Sequence, residues 1–273
     1  MILFITPPLA TAEHFTYDDS NMAQTSGKLK AILFDKDGTL FDYAQVWEDV
    51  LRESIEHAFT KMGKADKKEA KRAMLRLMGI DDEGQCLPGG LVFTHRRVQI
   101  FRRFFLYCLR WRVNAVKAIR AYHQSVADSE IILTEKLSTM DFSVQQRLFA
   151  RLKEKGWVVG VITSDNASST DLFLKLMGLS PYVDFVSSRD SHYRRKPHPE
   201  AFRAFCKQFN LQPHQVVMVG DTITDMLFAK RAKAGYTIAL LSGSRDLNAL
   251  RRLSDVTYHS IDSLEGDKRL FDE

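Results

Sequence analysis

Asp35 and Asp37, separated by Lys36 and followed by Gly38 and Thr39, stand directly after the apolar run Ala31-Ile32-Leu33-Phe34. In an extended segment residues two apart point the same way, so both carboxylates address one reacting group while Lys36 points elsewhere. Gly38 lets the backbone leave the strand sharply. Paired carboxylates at a strand end suit a nucleophile with its own acid/base partner, a cation site, or both. The plain alternative is a turn carrying two solvated acids.

Three further segments weigh against that alternative. Val158-Val159-Gly160-Val161-Ile162 reads as a buried strand that ends in Thr163, Ser164, Asp165 and Asn166, short polar groups of the kind a phosphate oxygen needs. Arg195-Lys196-Pro197-His198-Pro199-Glu200 puts a lysine just ahead of a helix that Pro199 opens from its first turn. Val216-Val217-Met218-Val219 leads into Gly220-Asp221, with Asp225 four residues on and so on the same side of a starting helix. Each signal is weak alone. Their order and their shared place at strand C-termini are what carry weight.

These residues resemble the four motifs of the haloacid dehalogenase-like hydrolases: Asp35-Lys36-Asp37-Gly38-Thr39, Thr163, Lys196, and Gly220-Asp221 with Asp225. The likeness runs over about residues 29 to 262 and is greatest to the phosphoglycolate phosphatase-type branch, where a helical cap sits between the first two motifs. The dehalogenases that name the superfamily lack the second aspartate, so Asp37 points to phosphoryl chemistry. The resemblance implies a Mg²⁺-dependent phosphatase acting on a small phosphate monoester such as 2-phosphoglycolate. Asp35 is the implied nucleophile, passing through an aspartyl phosphate, and Asp37 the acid and base. Thr163, Ser164 and Lys196 would hold the phosphate; Asp35, Asp37 (through its carbonyl), Asp221 and Asp225 would surround the metal. His198 and Asn166 read as local scaffolding, while His95 and Arg96 are candidates for substrate selection. A sugar-phosphate mutase or pyrophosphatase of the same fold is the nearest alternative, and a non-catalytic phosphate-binding module a more distant one.

The elements that must position these groups alternate along the chain. Helical patterns over 142–155 and 171–177, with strands at 183–186, 216–219, 236–241 and 256–258, predict an α/β core: a Rossmann-like parallel sheet in three layers. Residues 28–42 and 133–273 form that core, 43–132 an inserted α-helical cap, and 1–27 a flexible extension, with Met22 as an alternative start.

Composition fits a soluble enzyme: 273 residues, 45% hydrophobic and 27% charged, with no apolar run near the ~18 residues of a membrane span. Cys86, Cys108 and Cys206 form neither a metal pair nor a disulfide framework, as expected in a reducing, cytoplasmic setting. The net charge of +5 comes largely from the stretch Gly84 to Ala127, which lacks acidic residues. There Phe101, Phe104, Cys108, Trp111, Ala115, Ala118 and Tyr122 trace an apolar helical face, the expected cap core. Arg96, Arg103, Arg110 and Lys117 recur every seven residues as a basic stripe, read first as a solvated face and second as an attractor of anions. The partner expected is a small phosphorylated metabolite, with no specific nucleic acid and no membrane span, for a monomer or homodimer.

Overall fold

The structure, a computed structural model, describes residues 28–41, 43–64, 66–82, 97–120, 134–242 and 247–271. They divide into two compact units, one within Ala44–Leu133 and one made of Thr25–Tyr43 with Thr134–Glu273. The extension at 1–27, together with His95 and Arg96, lies outside the described residues.

The first unit is helical, with α1 (Tyr43–Lys61), α2 (Lys68–Met78) and α3 (Arg97–Arg110). Gly79, in the left-handed region at φ 115°, stops α2. Leu51, Ile55 and Phe59 meet Met74, Leu75, Tyr107, Cys108, Val113 and Ala118 in a local core. Of the expected stripe, Cys108 and Ala118 are buried and Phe104, Trp111 and Ala115 pack partly against them. Tyr107 joins them because its hydroxyl donates to the Ala70 carbonyl at 2.6 Å, which spares a buried polar group. Phe105, Leu106, Leu109 and Val116 are more than half exposed, a second apolar face the periodicity did not separate from the first.

In the second unit, β1 (Ala31–Phe34), β2 (Val158–Ile162), β3 (Phe185–Ser187), β4 (Val216–Gly220), β5 (Tyr236–Leu240) and β6 (Val256–Tyr258) form one sheet in the order β3-β2-β1-β4-β5-β6. Every neighbouring pair is parallel. Such strands are covered on both faces, which is why they read as unbroken apolar runs. Ala31 and Leu33 pack on Phe202, Phe205 and Phe228 from α6 (Glu200–Gln208) and α7 (Ile223–Ala232). On the other face Phe34 stacks on Phe149 of α4 (Ser143–Glu154), ring centres 4.8 Å apart. Burying one such side chain contributes about 1.5–3 kcal/mol, so the layers hold together through the sum of these faces.

Two boundaries differ from the pattern reading by more than one residue. The helix after β2, α5 (Ala167–Leu176), starts four residues early because the Asn166 side chain accepts from the Ser169 amide and caps it. β3 starts later than 183 because the Asp184 carboxylate takes the Val159 amide at 2.8 Å while pairing with Lys153.

The chain runs from β1 outward to β3, then returns to the other side of β1 and runs outward through β4, β5 and β6. The reversal falls between β1 and β4, and in such sheets the crevice beyond the strand ends at that point is where ligands bind.

Candidate active site

Asp35 leaves β1 at that crevice, its amide bound to the Val219 carbonyl of β4 at 2.9 Å. Gly38 turns the chain at φ 85°, and a Cβ there would run into the Asp221 carboxylate. Only glycine meets both conditions. Its neighbour Thr39 donates from Oγ1 to Asp221 Oδ1 at 3.2 Å, locking the β1 turn to the end of β4. Asp225, in the first turn of α7, has its Oδ2 taken by the Thr222 amide and hydroxyl in a capping box.

Asp35, Asp221 and Asp225 each bring an oxygen within 4.8 Å of the others, and all three are buried. Lys196, from the loop before α6, reaches into this trio with Nζ 2.5 Å from Asp35 Oδ1 and 2.6 Å from Asp225 Oδ1. Its side chain is 6% exposed. One ammonium against three carboxylates leaves negative charge in a low-dielectric place. Burial pushes the Asp35 carboxyl up to about 7 against the pull of Lys196, with Asp225 and Asp37 adding to the rise. Burial, then Asp35 and Asp225, push Asp221 up to about 8. For Lys196 burial works the other way, but the two carboxylates outweigh it and hold the ammonium charged. An all-oxygen set whose members repel one another fits a hard divalent cation. Asp225, both oxygens engaged, is less available to it than Asp221.

Thr163 is buried at the end of β2, its amide on the Ser187 carbonyl at 2.9 Å. Its Oγ1 accepts from the Asp165 amide at 3.0 Å, which leaves the hydroxyl proton for a further acceptor. Thr163, Ser164 and Lys196 line one recess with Ser188 and Tyr193. The structure therefore brings together Asp35, Asp221, Asp225 and Lys196, and places Thr163 with Ser164 beside Lys196. Asp37 stands next to the trio in sequence, but its carboxylate is not one of the three.

Residues 29–233 match the family model for haloacid dehalogenase-like hydrolases. The chain belongs to that family. The phosphoglycolate phosphatase of Cupriavidus necator is 30% identical over 215 residues, covering 77% of this chain and 80% of that protein. The glyceraldehyde 3-phosphate phosphatase of Pyrococcus furiosus is 24% identical over 204 residues, 75% of this chain and 77% of the relative. A subfamily IA hydrolase of Geobacter sulfurreducens, solved as a crystal structure, shares the fold with a TM-score of 0.57 at 20% identity, covering 88% of this chain and 97% of that one.

What motif reading missed in this hydrolase is Lys36. The alternation that sends it away from Asp35 buries it to 1% exposure, yet its ammonium returns to Asp37 Oδ1 at 2.7 Å and to Asp165 Oδ2 at 3.0 Å. It sits over the Phe173 ring at 3.8 Å and near Phe41 at 5.5 Å. Burial raises the Asp37 carboxyl above its ordinary value and Lys36 opposes the rise. For Asp165 burial again raises, but Lys36 together with hydrogen bonds from Ser169 and the Asn166 amide outweighs it, and the net shift is downward. A signal was present: a lysine inside an otherwise buried run requires an anionic partner. The neighbouring strand β2, in register with β1, supplies one just beyond its end. Asn166 and His198 do local work, Asn166 as a cap and His198 with Nε2 3.2 Å from the Arg194 guanidinium.

Proposed function

We propose that this phosphatase hydrolyses a small phosphate monoester of the 2-phosphoglycolate kind, with Mg²⁺ held by Asp35, Asp221, the Asp37 carbonyl and, less directly, Asp225. The observation that carries the reading is the buried Lys196 joined to Asp35 inside a carboxylate trio. A nucleophilic carboxylate has to approach an anionic phosphate, and fixed positive charge is what permits it. When bound, the metal supplies further positive charge to the transferring oxygens.

Asp35 attacks phosphorus through a carboxylate oxygen while the bond from phosphorus to the ester oxygen breaks. Asp37, one strand period away, gives its proton to that leaving oxygen as the alcohol departs. Water then attacks the aspartyl phosphate, Asp37 takes the proton of the water, and the bond from phosphorus to Asp35 breaks to release phosphate. The Thr163 hydroxyl and Lys196 orient the oxygens of the group being moved. The helical unit is proposed as the cap, and the buried free thiols Cys108 and Cys206 favour a reducing compartment such as the cytoplasm.

The test is phosphate release from 2-phosphoglycolate, glyceraldehyde 3-phosphate, hexose phosphates and pyrophosphate, in the chelated enzyme with and without added Mg²⁺. Release from a monoester that depends on Mg²⁺ is expected. Conversion of a hexose phosphate to its isomer without net phosphate release would replace the reading with a mutase, preference for pyrophosphate with a pyrophosphatase, and no turnover on any of them with a binding module.

A further inference from the structure

Asp37 has to present its proton in one direction, and a carboxyl group turns about its last bond unless a partner holds it. Lys36 is such a partner, its Nζ 2.7 Å from Asp37 Oδ1. Its ammonium is held from the far side by Asp165 Oδ2 at 3.0 Å and lies over the Phe173 ring, which stacks in turn on Phe41 at 5.0 Å. Asp165 is itself immobilised: its amide is on Thr163 Oγ1 at 3.0 Å, its Oδ1 accepts from the Asn166 amide at 2.7 Å, and its carbonyl from the Arg189 amide at 2.6 Å. A cation walled by two rings and one anchored carboxylate cannot swing, so the oxygen it holds on Asp37, Oδ1 at 2.7 Å, is fixed too. The proton is then left to Oδ2.

We propose that Lys36 is a positioning residue, a buried clamp between Asp165 and Asp37 that selects which oxygen of Asp37 carries the proton to the leaving group. The inference rests on the acid role proposed for Asp37. It links the Thr163 segment to the Asp35 segment through one ion pair on each side of a single lysine. Removing the charge while keeping the shape frees the Asp37 carboxyl to rotate. It leaves Asp35, Lys196 and the carboxylate trio with all the contacts described for them.

The experiment compares Lys36→Met with the parent enzyme on an alkyl phosphate, whose alkoxide must be protonated to leave, and on p-nitrophenyl phosphate, whose phenolate leaves without a proton. The quantity is kcat/KM, which stops at phosphoryl transfer and so excludes the later water step. Lys36→Met is expected to lose about tenfold or more on the alkyl phosphate and less than about threefold on the aryl one, a partial loss set against the roughly hundredfold or more that general-acid catalysis contributes in full. Asp165→Asn, at a more exposed position, should show the same selectivity in smaller degree, and it decides the matter if Lys36→Met fails to fold. Asp37→Asn serves as the reference. If it shows no leaving-group selectivity, the acid role of Asp37 is wrong; if it does while folded Lys36→Met and Asp165→Asn lose equally on both substrates or lose nothing, the clamp is wrong.

Discussion

The two sides of the site each contain one buried lysine between two carboxylates, and they are built for opposite ends. On the Lys196 side a third acid, Asp221, leaves negative charge unbalanced, and both Asp35 and Asp221 are pushed well above ordinary carboxylates. On the Lys36 side Asp165 is held ionised, and aromatic rings enclose the ammonium. The first is an electrostatic deficit of the kind the proposed cation and phosphate would offset; the second is balanced around its lysine, with only Asp37 still raised by burial. Charge count, rather than residue type, separates the surroundings of the two lysines.

The sharpest way to break the contrast is Asp35→Asn. An amide keeps the shape and loses the proposed nucleophile, so kcat should fall about a thousandfold or more with the fold intact by circular dichroism. More than a few per cent of residual rate would remove the covalent step and with it the special standing of the Lys196 side.

Gly38→Ala tests the hinge between the sides. The added methyl meets the Asp221 carboxylate in a left-handed backbone, so metal affinity and turnover should fall together. A misplacement of this order costs about a hundredfold in rate. Titrating activity with Mg²⁺ would expose the defect as a raised half-saturation; an unchanged curve would mean that the turn yields freely.

A smaller effect concerns stability against pH in the chelated protein. Asp35 and Asp221 have folded values near 7 and 8 against 3.8 unfolded. A group raised in this way contributes stability that is complete below the unfolded value and lost as pH climbs through the folded one. Melting temperature should therefore fall between pH 5 and 8.5 by at least about 3 °C, roughly what 1 kcal/mol does in a chain of this size. Added Mg²⁺ should raise it more at pH 8 than at pH 5, since protons compete for the same oxygens. A flat profile would mean that the carboxylate repulsion is relieved by something other than protons.

The smallest effect is expected in the helical unit. Lys117 and Arg110 are exposed, and exposed charges are screened over about 8 Å at physiological ionic strength. Lys117→Ala should change kcat/KM less than about twofold at any salt concentration; a strong, salt-dependent rise in KM would make the basic stripe a recruiter of anions.

The strands, their parallel pairing and the family were readable from sequence because each rests on local regularity. Unbroken apolar runs such as Val216-Val217-Met218-Val219 report two-sided burial, and strand ends report where polar groups emerge. Alternation likewise separated Asp35 and Asp37 from Lys36. What alternation lacks is any account of the far side of the strand. That Lys36 finds Asp165, that Gly38 must be bare because Asp221 leans on it, and that Asp225 is tied to Lys196 depend on residues far apart in the chain. The helical unit was least legible, since a helix with apolar residues on two faces does not say which one is the core. Tyr107 turned inward and Leu106 outward because Ala70 on another helix offered a carbonyl. Local chemistry is written in spacing; the partners of buried charges are chosen only when the sheet closes, because desolvation penalises every ion that lacks one.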